Sequence, residues 1–280
     1  MKLFIREKNI LEYVLLSIFA FIMMYPLLWM LGASFKTNHE IFSAVSLFPE
    51  NPVFDAFREG WKGSGQYGFD TYLINTFILV IPTVFFTMVS STLVAYGFAR
   101  FSFPFKKFLF LLMISTLMLP ATVIVIPRYI FFKNMNWLDS YLPFIVPAAL
   151  GAFPFFNFMM VQFLRGIPLE LDESAKLDGC GSLRTLVSIL LPLCKPALFS
   201  VVVFQFVWTW NDFFNALIYI SSVRKYPIAL GLRMTIDIAS QVHWNQIMAM
   251  SLVSILPPVL LFFTSQKYFV EGITTSGIKG

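Results

Sequence analysis

The chain has 280 residues, of which 58% are hydrophobic and 12% are charged, and this charged share is about half that of an ordinary soluble domain. The composition therefore argues against a water-soluble fold. The net charge of +5 does not indicate nucleic-acid binding, because the basic residues are spread over loops rather than gathered in one patch with aromatic residues.

Apolar stretches long enough to cross a hydrocarbon core of about 30 Å recur along the chain. The first follows Lys2, Arg6 and Lys8, but it is longer than the apolar part of a signal peptide, about 7 to 15 residues, so we expect an uncleaved helix. The six predicted spans are 11–35, 71–98, 108–131, 141–163, 196–221 and 246–269. The predicted fold class is an all-α polytopic membrane protein with six transmembrane helices, and one transmembrane domain is expected over 1–280.

Positive charge in short loops indicates the orientation. Arg100, Lys106 and Lys107 crowd the turn after the second span, and four further bases mark the loop after the fourth span, so both loops are expected in the cytoplasm. Both termini are then expected in the cytoplasm. The expected location of the chain is the cytoplasmic membrane of the cell. The polar, acidic segment 36–70 becomes an external loop that contacts another protein.

Proline interrupts several predicted spans. Pro120 and Pro127 fall in the third span, where a proline ring removes a backbone donor and kinks the helix. A role in gating and simple tolerance of proline both stay open.

The most polar stretch of the second half, residues 165–195, lies between spans four and five. Pro168 suits the first turn of a helix, and Gly179 and Gly181 offer places to stop it. A second short helix can begin at Ser182 as its N-cap. Acidic residues complement the positive end of the first helix, and they are Glu170, Asp172 and Glu173. The pattern predicts a helix-turn-helix, which either receives a soluble partner or lies on the membrane surface as an amphipathic helix.

The sequence Glu173-Ser-Ala-Lys-Leu-Asp-Gly179, followed by Ile189-Leu-Leu-Pro192, resembles the coupling motif of permeases of binding-protein-dependent ABC importers. Glu-Ser-Ala stands where the family usually has Glu-Ala-Ala, and serine is also small. The resemblance implies that this cytoplasmic loop fits a groove on the ATPase subunit. The implied contact residues are Glu173, Ser174, Ala175, Asp178 and Gly179.

Further segments resemble the carbohydrate branch of this family, and they extend the likeness over nearly the whole chain. They are 93–100, 118–127, 210–213 and 266–280. The last one is similar to the tail of the second permease of maltose-type transporters, which implies that a cytoplasmic tail over 270–280 also contacts the ATPase. The implied tail contacts are Ser276, Gly277, Lys279 and Gly280.

The resemblance implies a heterodimer with a second permease, two ATPase subunits, an extracytoplasmic sugar-binding protein and a lipid bilayer, with no nucleic acid. The sequence contains no G-x-x-x-x-G-K-[ST] phosphate loop, so we expect ATP and magnesium on the ATPase and no cofactor on this chain. His39 and His243 lie far apart without other ligands nearby, so no metal site is expected. Nor does the sequence offer a catalytic constellation, and a transport subunit is favoured over an enzyme.

Ionisable residues at membrane depth indicate function by default, and Asp212 lies in the predicted fifth span. At about 100° per residue, four neighbours share one helix face with it. The resulting polar and aromatic stripe is Gln205, Trp208, Asn211, Asp212 and Asn215. Such a stripe either lines a sugar pathway, through hydrogen bonds and ring stacking, or bonds to neighbouring helices.

These observations predict the permease subunit of an importer for a sugar, and we expect an oligosaccharide. Glycerol phosphate is the alternative for the same class, although the central parts of the spans lack the arginine or lysine that a phosphate would need. A secondary transporter or channel that needs no ATPase and a membrane-bound enzyme or scaffold are the other classes considered.

Overall fold

The computed structural model describes residues 10–43, 46–63, 66–238 and 242–276, and over these ranges the regular elements are all helical. The α-helices in chain order are α1 (Ile10–Ala33), α2 (Asn38–Ser43), α3 (Ala56–Lys62), α4 (Phe69–Arg100), α5 (Lys106–Leu117), α6 (Ala121–Asn134), α7 (Leu142–Ala149), α8 (Pro154–Arg165), α9 (Glu170–Leu177), α10 (Ser182–Thr185), α11 (Leu191–Leu193), α12 (Lys195–Trp210), α13 (Phe213–Tyr219), α14 (Ile228–Ile238) and α15 (Trp244–Ser276). A π-helical turn, Leu186–Leu190, joins α10 to α11, and a 3-10 turn, Val223–Lys225, precedes α14.

The described helices confirm the all-α polytopic class, with four to six spans. Four stretches are long and apolar enough to cross a membrane, namely Glu12–Ala33, Phe69–Arg100, Leu142–Arg165 and Trp244–Gln266. Two further spans result if each of two bent helix pairs is counted as one span. These pairs are Lys106–Leu117 with Thr122–Asn134 and Ser182–Leu193 with Lys195–Trp210. Their bends are 106° and 79°.

The predicted third span is not one straight helix, and Pro120 explains the break. Pro120 has an extended ψ of 131° and precedes the first residue of α6. A residue before proline is disfavoured in the helical region, and proline itself has no N–H to continue the ladder. The chain therefore ends α5 at Leu117 and starts a new helix after the proline.

The predicted fifth span, 196–221, is also corrected, because α12 ends at Trp210. The Asp212 side chain accepts a hydrogen bond from the backbone N–H of Asn215 at 3.1 Å and caps α13. A side chain that bonds its own backbone in this way favours a helix start over a helix interior. Asp212 thus lies at a break between two helices rather than on a continuous helix face.

The chain divides into two compact units, Met1–Phe69 with Leu232–Ile255, and Asp70–Gly231 with Leu256–Gly280. In the first unit, the predicted external loop 36–70 is folded around α2 and α3. Lys36 is fully buried and donates to the backbone carbonyl and the hydroxyl of Ser46. The expectation of one transmembrane domain over 1–280 stays a prediction.

The second unit has two apolar cores. One joins α4, α8, the π-helical turn and α12, through Tyr96, Phe156, Leu190 and Val201 among others. The other joins α4, α6, α7, α13 and α14 around Tyr219. The first core positions the coupling segment, and the cavity described below is lined by residues from the helices of both cores.

A carboxylate outside the spans ties two loops of the second unit together. Asp139 accepts the backbone N–H groups of Ser221 at 3.1 Å and Ser222 at 2.8 Å, and it pairs with Lys225 at 2.9 Å. Partial burial by itself raises the pKa of Asp139, but the hydrogen bonds from Ser222 and Lys225 outweigh it and hold this pKa below its usual range. The ionised form is therefore the one that the fold stabilises.

Asp139→Asn is expected to lower the free energy of unfolding by about 1 to 2 kcal/mol, since it removes charge-assisted hydrogen bonds. The folded-state pKa lies below the unfolded value of about 3.9, so the contribution of Asp139 is fully present above the unfolded value, decreases as the pH falls below it, and is lost completely only below the folded-state pKa. Unfolding measured from about pH 7 to about pH 3 should show a steeper loss for the wild type than for the variant. Parallel curves would contradict this role.

Candidate coupling segment and substrate cavity

The coupling segment, residues 165–195, folds as the predicted helix-turn-helix. Its first helix, α9, carries the three predicted acids in its first turn, and the chain turns at Gly179 with a φ of 76°. This left-handed conformation suits glycine because a side chain would strain it. Two details differ from the prediction: α9 begins at Glu170, beyond Pro168, and Gly181 rather than Ser182 is the N-cap of the second helix.

Most of the predicted ATPase contacts lie on the surface of the coupling segment. Glu173, Ser174, Asp178 and Gly179 are exposed. Ala175 is different, because only 2% of it is exposed and it packs inside this chain. Its small side chain therefore serves close packing of α9 on the rest of the unit.

Sequence reasoning missed Leu177 as a surface residue. It is 89% exposed at the end of α9, next to the polar surface formed by Glu173 and Asp178. Single exposed hydrophobic side chains are common on protein surfaces, so Leu177 extends the exposed surface of α9 and its exposure assigns no partner. The sequence feature that could have indicated this exposure is the position of Leu177 directly before Asp178 and Gly179.

The coupling segment is held to the end of α4 by an ion pair that sequence reasoning also missed. Arg100 Nε lies 2.9 Å from Asp172 Oδ2, and their side chains are 5% and 11% exposed. Arg100 Nη2 also donates to the carbonyl of Ile167 at 3.0 Å. The sequence analysis interprets Arg100 through membrane orientation and Asp172 through the helix dipole, because nothing in the sequence shows that the two side chains meet.

A second contact from α4 fixes the other side of the glycine turn. The Tyr96 hydroxyl donates to the carbonyl of Ser182 at 3.0 Å, and Tyr96 belongs to the same apolar core as Leu186 and Leu190. Helix α4 therefore contacts both helices of the coupling segment. A displacement of this segment would strain its contacts with α4, because close-packed interiors transmit strain.

A cavity of about 750 Å³ lies in the second unit. Four of the five predicted stripe residues line it, and they are Gln205, Trp208, Asp212 and Asn215. Asn211 does not, since it is exposed at the end of α12 and its Nδ2 donates to the carbonyl of Val207. Aromatic residues form much of the remaining wall, including Phe131, Phe132, Trp137, Phe144, Phe153 and Tyr219.

The polar groups of the cavity combine fixed and free hydrogen-bonding positions. Asn215 Nδ2 donates to both oxygens of Asp212, at 3.0 and 2.8 Å. Gln205 Nε2 donates to Thr209 Oγ1 at 2.7 Å, while Gln205 Oε1 is buried without a partner among the described residues. A buried acceptor without a partner is costly unless a ligand or water meets it.

Trp208 provides the cavity with an aromatic surface. It is half exposed, and its ring lies 5.1 Å from the rings of Phe155 and Phe156. These neighbours hold the indole in place at the wall. An apolar ring face beside free hydrogen-bonding groups suits a molecule with both an apolar face and hydroxyls.

Arg128 is a cavity residue that the sequence analysis did not single out. It lies near the middle of α6, lines the cavity and is exposed, and within the described ranges it forms no ion pair. Arg128 lies near the end of the predicted span 108–131, so the expectation that the central parts of the spans lack arginine and lysine is unaffected, yet the cavity does contain a cation.

The predicted tail contacts cannot be placed in the structure. Ser276 is the last residue of α15, and its side chain lies outside the described part, as do Gly277, Lys279 and Gly280. The contact between the tail and an ATPase stays a prediction.

Comparison with known proteins defines the class. Residues 72–275 match the family described as binding-protein-dependent transport system inner membrane component, so most of the chain is covered and the chain belongs to this family. The resemblance found in the coupling motif is thereby confirmed. The family is a transport component, in agreement with a membrane-spanning transport subunit.

Similar proteins include two permeases and one solved structure. The galactooligosaccharides transport system permease protein GanQ of Bacillus subtilis (strain 168) is 29% identical, over 96% of this chain and 95% of that protein. The sn-glycerol-3-phosphate transport system permease protein UgpE of Yersinia pestis bv. Antiqua (strain Antiqua) is 29% identical, over 97% and 98%. A bacterial ABC transporter involved in the import of the acidic polysaccharide alginate has a chain with a TM-score of 0.82 and 21% identity, over 96% of this chain and all of that one. This last likeness shows the fold.

Proposed function

We propose that this chain is the permease subunit of an ATP-binding-cassette importer that translocates a saccharide, most simply an oligosaccharide. It pairs with a second permease, two ATPase subunits supply the energy with ATP and magnesium, and an extracytoplasmic binding protein delivers the sugar. Both termini and the coupling segment lie on the cytoplasmic side of the cell membrane. The similarity to GanQ supports the substrate class.

One observation carries the proposal: the coupling segment exposes Glu173 and Leu177 while Ala175 and Asp172 anchor it to the helix bundle. An element exposed on one side and buried on the other can receive force from a partner and pass it to the spans. The chain has no phosphate loop of its own. The ATPase groove is therefore the proposed partner of this surface.

The cavity is the proposed place where the sugar passes. Saccharides present hydroxyls to amides and carboxylates and an apolar ring face to tryptophan, and Gln205, Asp212 and Trp208 supply these groups.

Glycerol phosphate is a second candidate substrate, and Arg128 favours it. An arginine free of ion pairs among the described residues can bind a phosphate with two parallel hydrogen bonds. The similarity to UgpE supports the same alternative. Glycerol phosphate is the substrate if the complex takes it up, takes up no oligosaccharides, and loses the uptake of glycerol phosphate in the Arg128→Gln variant.

Reconstitution of the whole complex tests the function. The chain is purified with its partner permease and ATPase, placed in proteoliposomes with the binding protein, and supplied with labelled galactooligosaccharides or glycerol phosphate. Accumulation with ATP, and none with a non-hydrolysable analogue, is the expected result. Accumulation that persists without the ATPase would instead establish a secondary transporter or channel.

Trp208→Ala is expected to raise the sugar concentration needed for half-maximal uptake about tenfold, because an aromatic stacking contact contributes about 1 to 1.5 kcal/mol. Trp208→Phe keeps a ring face and serves as the matched control, with a change of about threefold or less. The measurement is ATP-driven uptake against sugar concentration. Equal curves for the alanine variant and the wild type would remove Trp208 from the pathway.

A further inference from the structure

A second, smaller cleft of about 600 Å³ lies where α5 begins and α8 ends. It is lined by Lys106, Lys107, Phe110, Leu111, Ile114 and Arg165. The cleft is separate from the substrate cavity, with which it shares no lining residue. Neither the coupling segment's exposed acids nor the substrate cavity explains why three cations gather here.

The three cations of the cleft have no acidic partner among its lining residues. Lys106 Nζ donates to the carbonyl of Phe101 at 2.7 Å, and the Arg165 guanidinium lies 4.6 Å from the centre of the Phe110 ring. None of the three takes part in an ion pair within the part of the chain that the structure describes. Three cations that line one cleft repel one another, so an anion in the cleft would stabilise the arrangement.

Helix α5, which begins at the two lysines of the cleft, has an apolar and exposed surface. Helix α5 contains no buried residue, and Phe108, Leu111 and Leu112 are 61%, 66% and 51% exposed. Helix α5 belongs to one of the two bent pairs that count as candidate spans, and an exposed apolar surface at membrane depth is suited to hydrocarbon chains rather than water. The cleft thus places cations at the end of a candidate span directly beside a surface suited to lipid.

We propose that this cleft binds an anionic phospholipid. The headgroup phosphate lies between Lys106, Lys107 and Arg165, and the acyl chains run along Leu111 and Ile114. Basic pockets between transmembrane helices bind acidic headgroups in this manner, and each lysine or arginine near the surface adds to the attraction. Free phosphate would use the cations but not the apolar wall, which is why a lipid is the better fit.

Lipid retention on the intact complex tests the proposal. The complex is purified from membranes, exchanged into detergent with phosphatidylglycerol or phosphatidylcholine, and analysed by native mass spectrometry. The wild type is expected to retain phosphatidylglycerol in preference to phosphatidylcholine. The double variant Lys106→Gln/Lys107→Gln should weaken this retention about thirtyfold, and Arg165→Gln about fivefold.

Lys133→Gln is the matched control, because Lys133 is an exposed lysine in the last turn of α6 and lies outside the cleft. It should leave retention unchanged. Retention of phosphatidylglycerol that is equal in the double variant and the wild type would overturn the proposal. So would displacement of the lipid by millimolar inorganic phosphate, since that result would identify a site for the free anion. A misfolded double variant is recognised by loss of the partner subunits, and Arg165→Gln then decides alone.

Discussion

The charge reversal Glu173→Lys is expected to lower ATP-driven sugar uptake by at least about tenfold. The substitution removes a carboxylate from the proposed ATPase surface and puts a positive charge in its place. Glu173 is exposed, so the chain should still insert and pair with its partner permease. Uptake into proteoliposomes and recovery of the ATPase with the purified permease are the two measurements. Both should fall together.

Asp70→Lys is the matched control for this change. Asp70 is likewise an exposed acid in the first turn of a helix, so the reversal has a similar cost against the helix dipole, about 0.3 to 1 kcal/mol. It lies far from the coupling segment in the sequence and should leave ATPase recovery unchanged. If Glu173→Lys kept full ATP-coupled uptake, the docking role of α9 would be wrong.

Asp172→Asn is expected to reduce the free energy of unfolding by about 3 to 5 kcal/mol, because it leaves the buried guanidinium of Arg100 without its counter-charge. Unfolding by denaturant in detergent measures the loss. Asp178→Asn removes an exposed carboxylate from the same segment and should change stability by no more than about 0.5 kcal/mol. Similar losses in the two variants would show that the ion pair does not hold the segment.

The same change should separate ATP hydrolysis from transport. Asp172 is buried beneath the exposed surface of α9, so the ATPase can still dock, but α4 is then less tightly joined to the segment that it moves. We expect hydrolysis to continue while uptake per ATP falls. In the double variant Arg100→Met/Asp172→Leu, stability should recover in large part, since apolar side chains of similar size can replace a buried ion pair.

If the results for Asp172→Asn are as expected, α4 takes part in the movement together with the two spans that flank the coupling segment. The chain order suggests that motion of residues 165–195 reaches the fourth and fifth spans, which are continuous with it. The contacts of Arg100 and Tyr96 add α4 as a third helix. Rigid-body movement of packed helices is an established way to alternate between two openings.

Composition and the lengths of the apolar runs predicted the fold class, and the motif beginning at Glu173 predicted the family. Both signals are local. A membrane span has to be apolar over about 20 residues, and a docking helix with a glycine turn needs small residues at fixed spacing. Neither depends on which distant residues meet.

The helix breaks could be located only partly. The sequence showed Pro120, but it did not show that the chain would turn by 106° there, since proline in a membrane helix produces anything from a slight kink to a full break. The stop at Asp212 was missed for a related reason. Its side chain caps the next helix, and capping at that residue competes with a continuous helix that the apolar run also allows.

The sequence by itself determined that this chain spans a membrane many times, and it predicted which segment a cytoplasmic partner contacts. Only the tertiary structure decided that Arg100 pairs with Asp172, that Ala175 is buried while Leu177 is exposed, and that Arg128 shares a cavity with Asp212. The physical reason is that burial and pairing depend on contacts between helices far apart in the chain. Hydrophobic patterns specify that helices pack, but they leave open which polar side chains that packing brings together.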